Sequence, residues 1–264
     1  MHNFNHQKTV IIKTQGGICS QIAYFALGKH LEDLGYVVKF DNLWFKENGK
    51  DMDGIFVRNY DFDKAFPEII VNFATEDEIK IFQEKYNVGE KHEKMETNMY
   101  VCGYPERFSL FIKYIDFFKK FFNPYDSFQV TDICEEIKAN VSCAVHVRRG
   151  DLAKPHSVYG EPLSIDYFSK VIPFVNSMQK NIKFFFFSDE MDWVKDNIIP
   201  NLSSDIEYKL VDKNGSDRGY LDLWLISKCN YIIASKGSMG RFAKFLGAED
   251  TKIIAPGKDT ILVM

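Results

Sequence analysis

Cys143-Ala144-Val145-His146-Val147-Arg148-Arg149-Gly150-Asp151 opens as an apolar run with β-branched residues and then turns abruptly polar. The apolar half predicts a buried strand of a parallel sheet. The polar half sets an imidazole, two guanidiniums and a carboxylate where that strand ends. In open α/β sheets ligands bind at the carboxyl ends of the strands. A guanidinium offers paired, planar donors that match phosphate oxygens, so this strand end reads as an anion site. A surface salt bridge just past a core strand is the plain alternative.

The 264 residues are 45% hydrophobic and 27% charged, a composition with material for a sizeable core. A net charge of −4 argues against a nucleic-acid-binding chain. Cys19, Cys102, Cys134, Cys143 and Cys229 are odd in number and scattered, without a C-x-x-C pair. They suggest neither zinc nor a disulfide framework, and they fit a reducing compartment. Met1 to Lys8 has no apolar stretch of the kind a signal peptide needs, and no segment has eighteen consecutive apolar residues. The expected location is the cytoplasm, either free or peripheral at the membrane.

The chain begins with a predicted strand, Thr9 to Thr14, and a glycine turn, Gly16-Gly17-Ile18-Cys19-Ser20-Gln21. A helix is expected from about Ser20, as N-cap, to Gly35, with Tyr24, Leu27, Leu31 and Leu34 on one face. A second strand, Val37 to Phe40, ends at Asp41. This unit invites a dinucleotide-binding reading, but that fingerprint would need glycines where Ile18 and Gln21 stand. What is left is a helix start behind a flexible turn, which suits an anionic or sugar ligand and equally a structural turn. Asp51-Met52-Asp53 and Asp61-Phe62-Asp63 are D-x-D triplets of a kind that can hold a divalent metal. With 37 acidic residues in the chain such triplets arise easily, and no metal is expected. Glu76 to Lys94 reads as a solvated helical stretch, Met99 to Tyr104 as a strand, and Phe108 to Phe122 as an amphipathic helix stopped by Asn123-Pro124.

From Cys143 onward strands and helices alternate. Strands are expected at Cys143–Val147, Lys183–Ser188, Glu207–Val211, Tyr231–Ala234 and Ile253–Ala255. Helices are expected at Ile165–Lys180, Met191–Ile199, Gly219–Lys228 and Ser238–Leu246. Alternation of this kind predicts an α/β chain with a parallel sheet and right-handed crossovers. Two Rossmann-like domains facing a cleft are therefore expected, 1–138 and 139–264.

Three features of the second half fall at strand ends or on helices beside them. They are His146 with Arg148, Arg149 and Asp151; Asp222; and Ser235-Lys236-Gly237-Ser238-Met239-Gly240-Arg241. Ser238 as a helix cap would leave N–H groups for a phosphate, and two guanidiniums opposite would complete a pyrophosphate clamp. Asp222 could accept both the ring and the exocyclic N–H of a guanine, or serve only as a helix-surface acid.

At these residues the chain resembles a known family. His146-Val147-Arg148-Arg149-Gly150-Asp151 is similar to the H-x-R-R-x-D motif of the α-1,2- and α-1,6-fucosyltransferase superfamily. Gly16 to Gln21 resembles the G-G-L-G-N-Q opening of the bacterial α-1,2-fucosyltransferases of glycosyltransferase family 11. Gly103-Tyr104 resembles that family's mid-chain segment, and Asp222 to Cys229 its D-x-x-L-M-S-x-C helix. The resemblance runs in order from about residue 14 to 256. It implies a GT-B-like fold with an N-terminal acceptor-side domain and a C-terminal donor domain. It also implies inverting, metal-independent transfer of L-fucose from GDP-β-L-fucose to a glycan hydroxyl, galactose O2 in an α-1,2 linkage, with an oligosaccharide or lipid-linked acceptor in bacterial surface polysaccharide synthesis.

By motif position Arg148 would hold the β-phosphate with Arg149 in support, and His146 and Asp222 would contact guanine. Ser238 would contact the phosphates. Asp151, Ser235, Gly16, Gly17 and Gln21 complete the expected donor site, and Glu161 or His156 is the expected base. Where family 11 carries N-S-S-F-S-W-W-G, this chain reads Ser235 to Phe242 without tryptophan and with Lys236 and Arg241. Transfer of another GDP-deoxysugar, and a non-catalytic nucleotide-sugar-binding protein, are the rival readings.

Overall fold

The structure, a computed structural model, describes residues 8–47, 49–50, 57–89, 98–104, 108–155, 157, 160–215, 217–257 and 261–263. These divide into two compact units, 8–121 and 122–263.

The first unit runs β1 (Thr9–Lys13), α1 (Ile18–Asp33), β2 (Val37–Asp41), α2 (Leu43–Glu47), α3 (Phe62–Ala65), α4 (Glu76–Lys85), β3 (Asn87–Gly89), β4 (Met99–Val101), α5 (Ser109–Lys113) and α6 (Ile115–Phe121). Its strands pair in the order β2-β1-β4-β3, all parallel. The apolar run Val10-Ile11-Ile12 is fully buried, as the centre of a parallel sheet must be. Helix α1 is buried on nearly every side through its first three turns, where Phe25 stacks on Phe62 at 3.4 Å and on Phe40 at 4.1 Å. It ends as expected at Gly35, whose φ of 89° is the left-handed turn that closes a helix end. Gly35 N donates to Glu32 O and Tyr36 N to Leu31 O, so two terminal carbonyls are satisfied.

The second unit begins with a 3₁₀ turn, Tyr125–Val130, and runs α7 (Thr131–Ala139), β5 (Val141–Val147), α8 (Ile165–Met178), β6 (Ile182–Ser188), α9 (Met191–Trp193), β7 (Glu207–Val211), α10 (Gly219–Ile226), β8 (Tyr231–Ile233), α11 (Met239–Leu246), β9 (Lys252–Pro256) and β10 (Ile261–Val263). The sheet order is β10-β9-β8-β5-β6-β7, parallel except for β10. Phe184, Phe185, Phe186 and Phe187 are all fully buried, because a strand covered on both faces has no polar side. The chain leaves β5 to one side for β6 and β7, then returns to its other side for β8 and β9. That reversal makes the carboxyl end of β5 the sheet's switch point. The expected α/β class with two Rossmann-like units is borne out.

Several expectations change. The units divide at 121/122 rather than 138/139, since residues 125–139 are tied to the second sheet and its helices. Tyr220 Oη donates to Asp126 at 2.7 Å, Arg218 Nη1 to Gln129 at 2.8 Å, and Lys209 pairs with Glu136. The Phe108–Phe122 helix breaks at Tyr114, whose backbone leaves the helical region (φ −110°, ψ 23°). The Glu76–Lys94 helix stops at Lys85 and gives way to β3. The Met191–Ile199 helix is a short α-turn followed by a π-turn, Val194–Ile198. Strand β10 had no signal beyond a short apolar run. All five cysteines are free thiols, and burial pushes Cys143 up and Cys229 up to about 12. Among the described residues no helix is long and apolar enough to cross a membrane.

Ser20 does not cap α1; Gly17 occupies the N-cap position, and its carbonyl accepts from Ser20 N and Gln21 N. Gln21 is fully buried with its amide saturated. Nε2 donates to Gly16 O (3.0 Å) and Asn59 O (2.8 Å), while Oε1 accepts from Asp61 N (2.8 Å) and Phe62 N (2.9 Å). The amide expected at a ligand thus pins the glycine turn to the start of α3. Replacing it by an apolar isostere orphans four backbone groups, each buried unpaired group costing about 1–3 kcal/mol. Gln21→Leu should therefore lower the urea midpoint by the equivalent of at least ~2 kcal/mol. An unchanged midpoint would show that the amide is dispensable.

Candidate functional site

At the end of β5 the side chains form one connected network with the loop after β8. Arg148 N donates to Ser235 Oγ at 3.0 Å, and that oxygen lies 3.1 Å from His146 Nδ1. Arg148 Nε donates to Asp151 Oδ1 at 2.9 Å, and Nη2 pairs with Asp151 Oδ2. Asp151 is 1% exposed, so this bidentate pair is a buried fixture that aims the guanidinium. Its neighbour on the other side is Gly237. A Cβ there would stand 2.6 Å from Arg148 Nη1, and the φ of 108° also disfavours any side chain. Glycine lets the β8–α11 backbone close directly on the arginine. Burial, and then the Arg148 charge, lowers His146 to about 4, so the imidazole is neutral at physiological pH.

The second arginine takes other partners, from the end of β6. Val147 and Ser188 are in register, which brings Asp189 and Glu190 beside the turn. Arg149 N donates to Asp189 Oδ1 at 2.8 Å, and Arg149 Nε to Glu190 Oε2 at 3.4 Å. Its guanidinium carbon lies 3.8 Å from the Trp193 ring centre. Arg149 also walls a groove of about 610 Å³, whose lining includes Leu152, Lys154, Ser157, Glu161 and Ser164.

Asp222 stands on the first turn of α10, where Asn214 Nδ2 donates to its Oδ1 at 2.6 Å. Burial dominates its titration and lifts the carboxyl to about 7, against the lowering effects of Asn214 and Arg218. Asn214 is 2% exposed and its Oδ1 has no hydrogen-bond partner among the described residues.

Of the residues expected from sequence, the structure joins His146, Arg148, Asp151 and Ser235 in one cluster. Ser238 does sit at the N-cap position of α11, but its hydroxyl makes no capping bond, because its backbone is already helical (φ −96°, ψ −19°). Glu161 is exposed on the groove wall, with its carbonyl held by Lys236 Nζ at 2.5 Å. Gly16 and Gly17 form the turn before α1 in the first unit. His156, Asp51 and Asp53 lie outside the described residues. Asp61 is buried and accepts from Lys64 Nζ at 3.2 Å. Among the described residues no three His, Cys, Asp or Glu side chains are grouped to hold a metal ion. Sequence reasoning missed Asp189, Glu190, Trp193 and Asn214. The first three follow a strand whose partner carries the arginines, and that position is the signal that could have found them.

The family model of glycosyl transferase family 11 matches residues 68–260. The chain is 24% identical to an α-1,2-colitosyltransferase of Escherichia coli over 272 aligned positions, 94% of this chain and 91% of the relative. It is 28% identical over 129 positions to the Escherichia coli O-antigen biosynthesis glycosyltransferase WbnK, covering 48% of this chain and 40% of the relative. Among solved structures, the α-1,6-fucosyltransferase NodZ, co-crystallised with GDP, superposes with a TM-score of 0.64 over 98% of both chains at 15% identity. NodZ from Bradyrhizobium gives 0.63. At that identity the likeness is one of fold.

The Asp222 carboxyl gives a pH signature. Its folded pKa of about 7 lies above the ordinary aspartate value of 3.8, so the folded state holds the extra proton between those limits. That contribution to stability is complete below the unfolded pKa and is lost as pH rises through about 7. Asp222→Asn keeps an acceptor for Asn214 and removes the titration. Its stability relative to the native protein should therefore rise from pH 4 to pH 7.5 in parallel urea titrations, each pH value being roughly one side of that window. Two parallel stability profiles would show that the carboxyl is not shifted.

Proposed function

The chain belongs to glycosyl transferase family 11, and from that premise we propose that it is an inverting, metal-independent enzyme that transfers L-fucose from GDP-β-L-fucose to a glycan hydroxyl. The acceptor position proposed is galactose O2, in an α-1,2 linkage, within a surface polysaccharide such as O-antigen. The site of action proposed is the cytoplasm, free or peripheral at the membrane. The observation that carries the reading is the locked Arg148–Asp151 pair, closed by Ser235 and by Gly237, at the switch point of a parallel sheet.

Departure of GDP puts negative charge on the β-phosphate. Arg148, fixed by Asp151 before the reaction, meets that charge without reorganising, aided by Arg149 and by the N–H groups where α11 begins. Two fixed cations in a partly buried site supply what a divalent ion supplies elsewhere, which is the ground for metal independence. Asp222 as a carboxylate accepts guanine N1–H and N2–H together, and His146 borders the same base. Inversion needs a hydroxyl attacking opposite GDP. Glu161, on the groove wall, is the proposed base, with His156 as the other candidate.

One observation favours a second donor. The α-1,2-colitosyltransferase matches 94% of the chain, and the β8–α11 loop lacks the tryptophans of the family 11 pattern. Colitose lacks the 3-hydroxyl of fucose. A site built to hydrogen-bond that hydroxyl rejects the deoxy analogue by about 10⁴-fold, whereas an apolar pocket discriminates weakly. A turnover panel of GDP-fucose, GDP-colitose, GDP-mannose and UDP-galactose should release GDP from one or both of the first two only. The rate should be unchanged in excess EDTA. Turnover of the UDP-sugar alone would sink the donor assignment, and a complete, Mn²⁺-reversible loss would sink metal independence.

Arg148→Ala would also remove the bidentate partner of buried Asp151, so loss of activity in that variant would mix catalysis with stability. Arg148→Lys keeps the charge and loses the fork. With the better donor it should lower kcat by about 10²-fold, the scale of one transition-state donor, while the melting temperature stays near native. Full activity in the lysine variant would remove the fork from the mechanism.

A further inference from the structure

The Arg148 guanidinium pairs with a carboxylate of its own motif, Asp151, whereas the Arg149 guanidinium is held by Glu190 and Trp193, outside the motif. The Arg149 side chain is only 16% exposed, so most of its length is packed against protein. One face of the guanidinium lies on Trp193 at 3.8 Å, Nε is held by Glu190 at 3.4 Å, and the backbone N–H is fixed by Asp189 at 2.8 Å. Its two terminal nitrogens have no hydrogen-bond partner among the described residues. Neither terminal nitrogen is among the fully buried unpartnered atoms, so both stay open to a ligand, and charge-assisted donors of this kind favour phosphate oxygens. Holding its plane against an indole face also removes the rotamer freedom that binding would otherwise have to freeze.

We propose that Trp193, with Glu190 at the edge, is a positioning residue that pre-sets Arg149 at the groove wall so that its terminal nitrogens receive oxygens of the donor's diphosphate. This rests on the GDP-sugar reading above and extends it to residues outside the H-x-R-R-x-D motif. Arg148 and Arg149 are then held by two separate devices, a buried carboxylate for the first and an aromatic face for the second. Tryptophan is suited to the task because its face attracts a cation without neutralising it, which a second carboxylate would do. Glu190 is 35% exposed and 3.4 Å away, so its screening of that charge is weak.

GDP binding by calorimetry tests this on the full chain with four variants, Trp193→Leu, Trp193→Phe, Arg149→Ala and the double variant Arg149→Ala/Trp193→Leu. Trp193→Leu should weaken GDP roughly tenfold, the scale of a partly buried cation–π contact. Trp193→Phe, which keeps a π face, should restore most of the affinity. The leucine change should cost almost nothing further once Arg149 is alanine, because residues that act through one another are not additive. If Trp193→Leu melts early, Trp193→Met takes its place, being of similar length and without a π face. Native affinity in the leucine or methionine variant overturns the proposal. So does an equal loss with and without Arg149, which would mark Trp193 as general packing. A native protein that binds no GDP overturns the donor reading instead, and an unweakened Arg149→Ala removes Arg149 from the phosphate site.

Discussion

Everything at the site depends on β5 lying between β6 and β8 in a parallel sheet. All three strands run the same way, so their polar ends arrive together on one edge. At that edge the buried chain must satisfy its hydrogen-bonding groups without a further strand to do so. Ser235 answers for β8 by accepting from Arg148 N, and Asp189 answers for β6 by accepting from Arg149 N. The turn that presents the arginines is thus fixed from both neighbours before any ligand arrives.

The same geometry separates two adjacent and chemically identical side chains. Successive residues leave an extended chain on opposite sides. Arg148 goes to Asp151 and the Gly237 backbone, and Arg149 to Glu190 and Trp193. Each guanidinium is oriented by contacts it has in the free protein, and such preorganisation is what gives electrostatic stabilisation its value. Burial keeps His146 neutral, so the imidazole adds no third positive charge next to Arg148. Asp222 carries the opposite burden, with burial holding its carboxyl up at about 7.

The β8–α11 loop is where this chain departs from the family pattern, and the structure gives one consequence. Lys236 donates to the Glu161 carbonyl, tying the groove wall to the β8–α11 loop. A residue new to the pattern therefore shapes the groove beside the cluster while Ser235 and Gly237 keep the cluster itself.

The sequence alone determined the strand–helix alternation of the second half, the strand bearing the arginines, and the cluster of His146, Arg148 and Asp151. These are local signals: period, apolar runs, and polar residues within reach of one another along the chain. It also supplied Ser235, because a small-residue turn after an apolar run is visible as text. Only the tertiary structure decided that Gln21 is a backbone latch, since its four partners lie at Gly16, Asn59, Asp61 and Phe62. Only the sheet register brought Glu190 and Trp193 to Arg149, and only folding placed Asn214 on Asp222. The unit boundary moved to 121/122 for the same reason, because the turn at 125–130 and α7 look like any polar helical stretch until Asp126, Gln129 and Glu136 meet residues some seventy to ninety positions away. Contacts between distant residues depend on strand order, and strand order is set by how the helices cover both faces of a sheet, which no local pattern encodes.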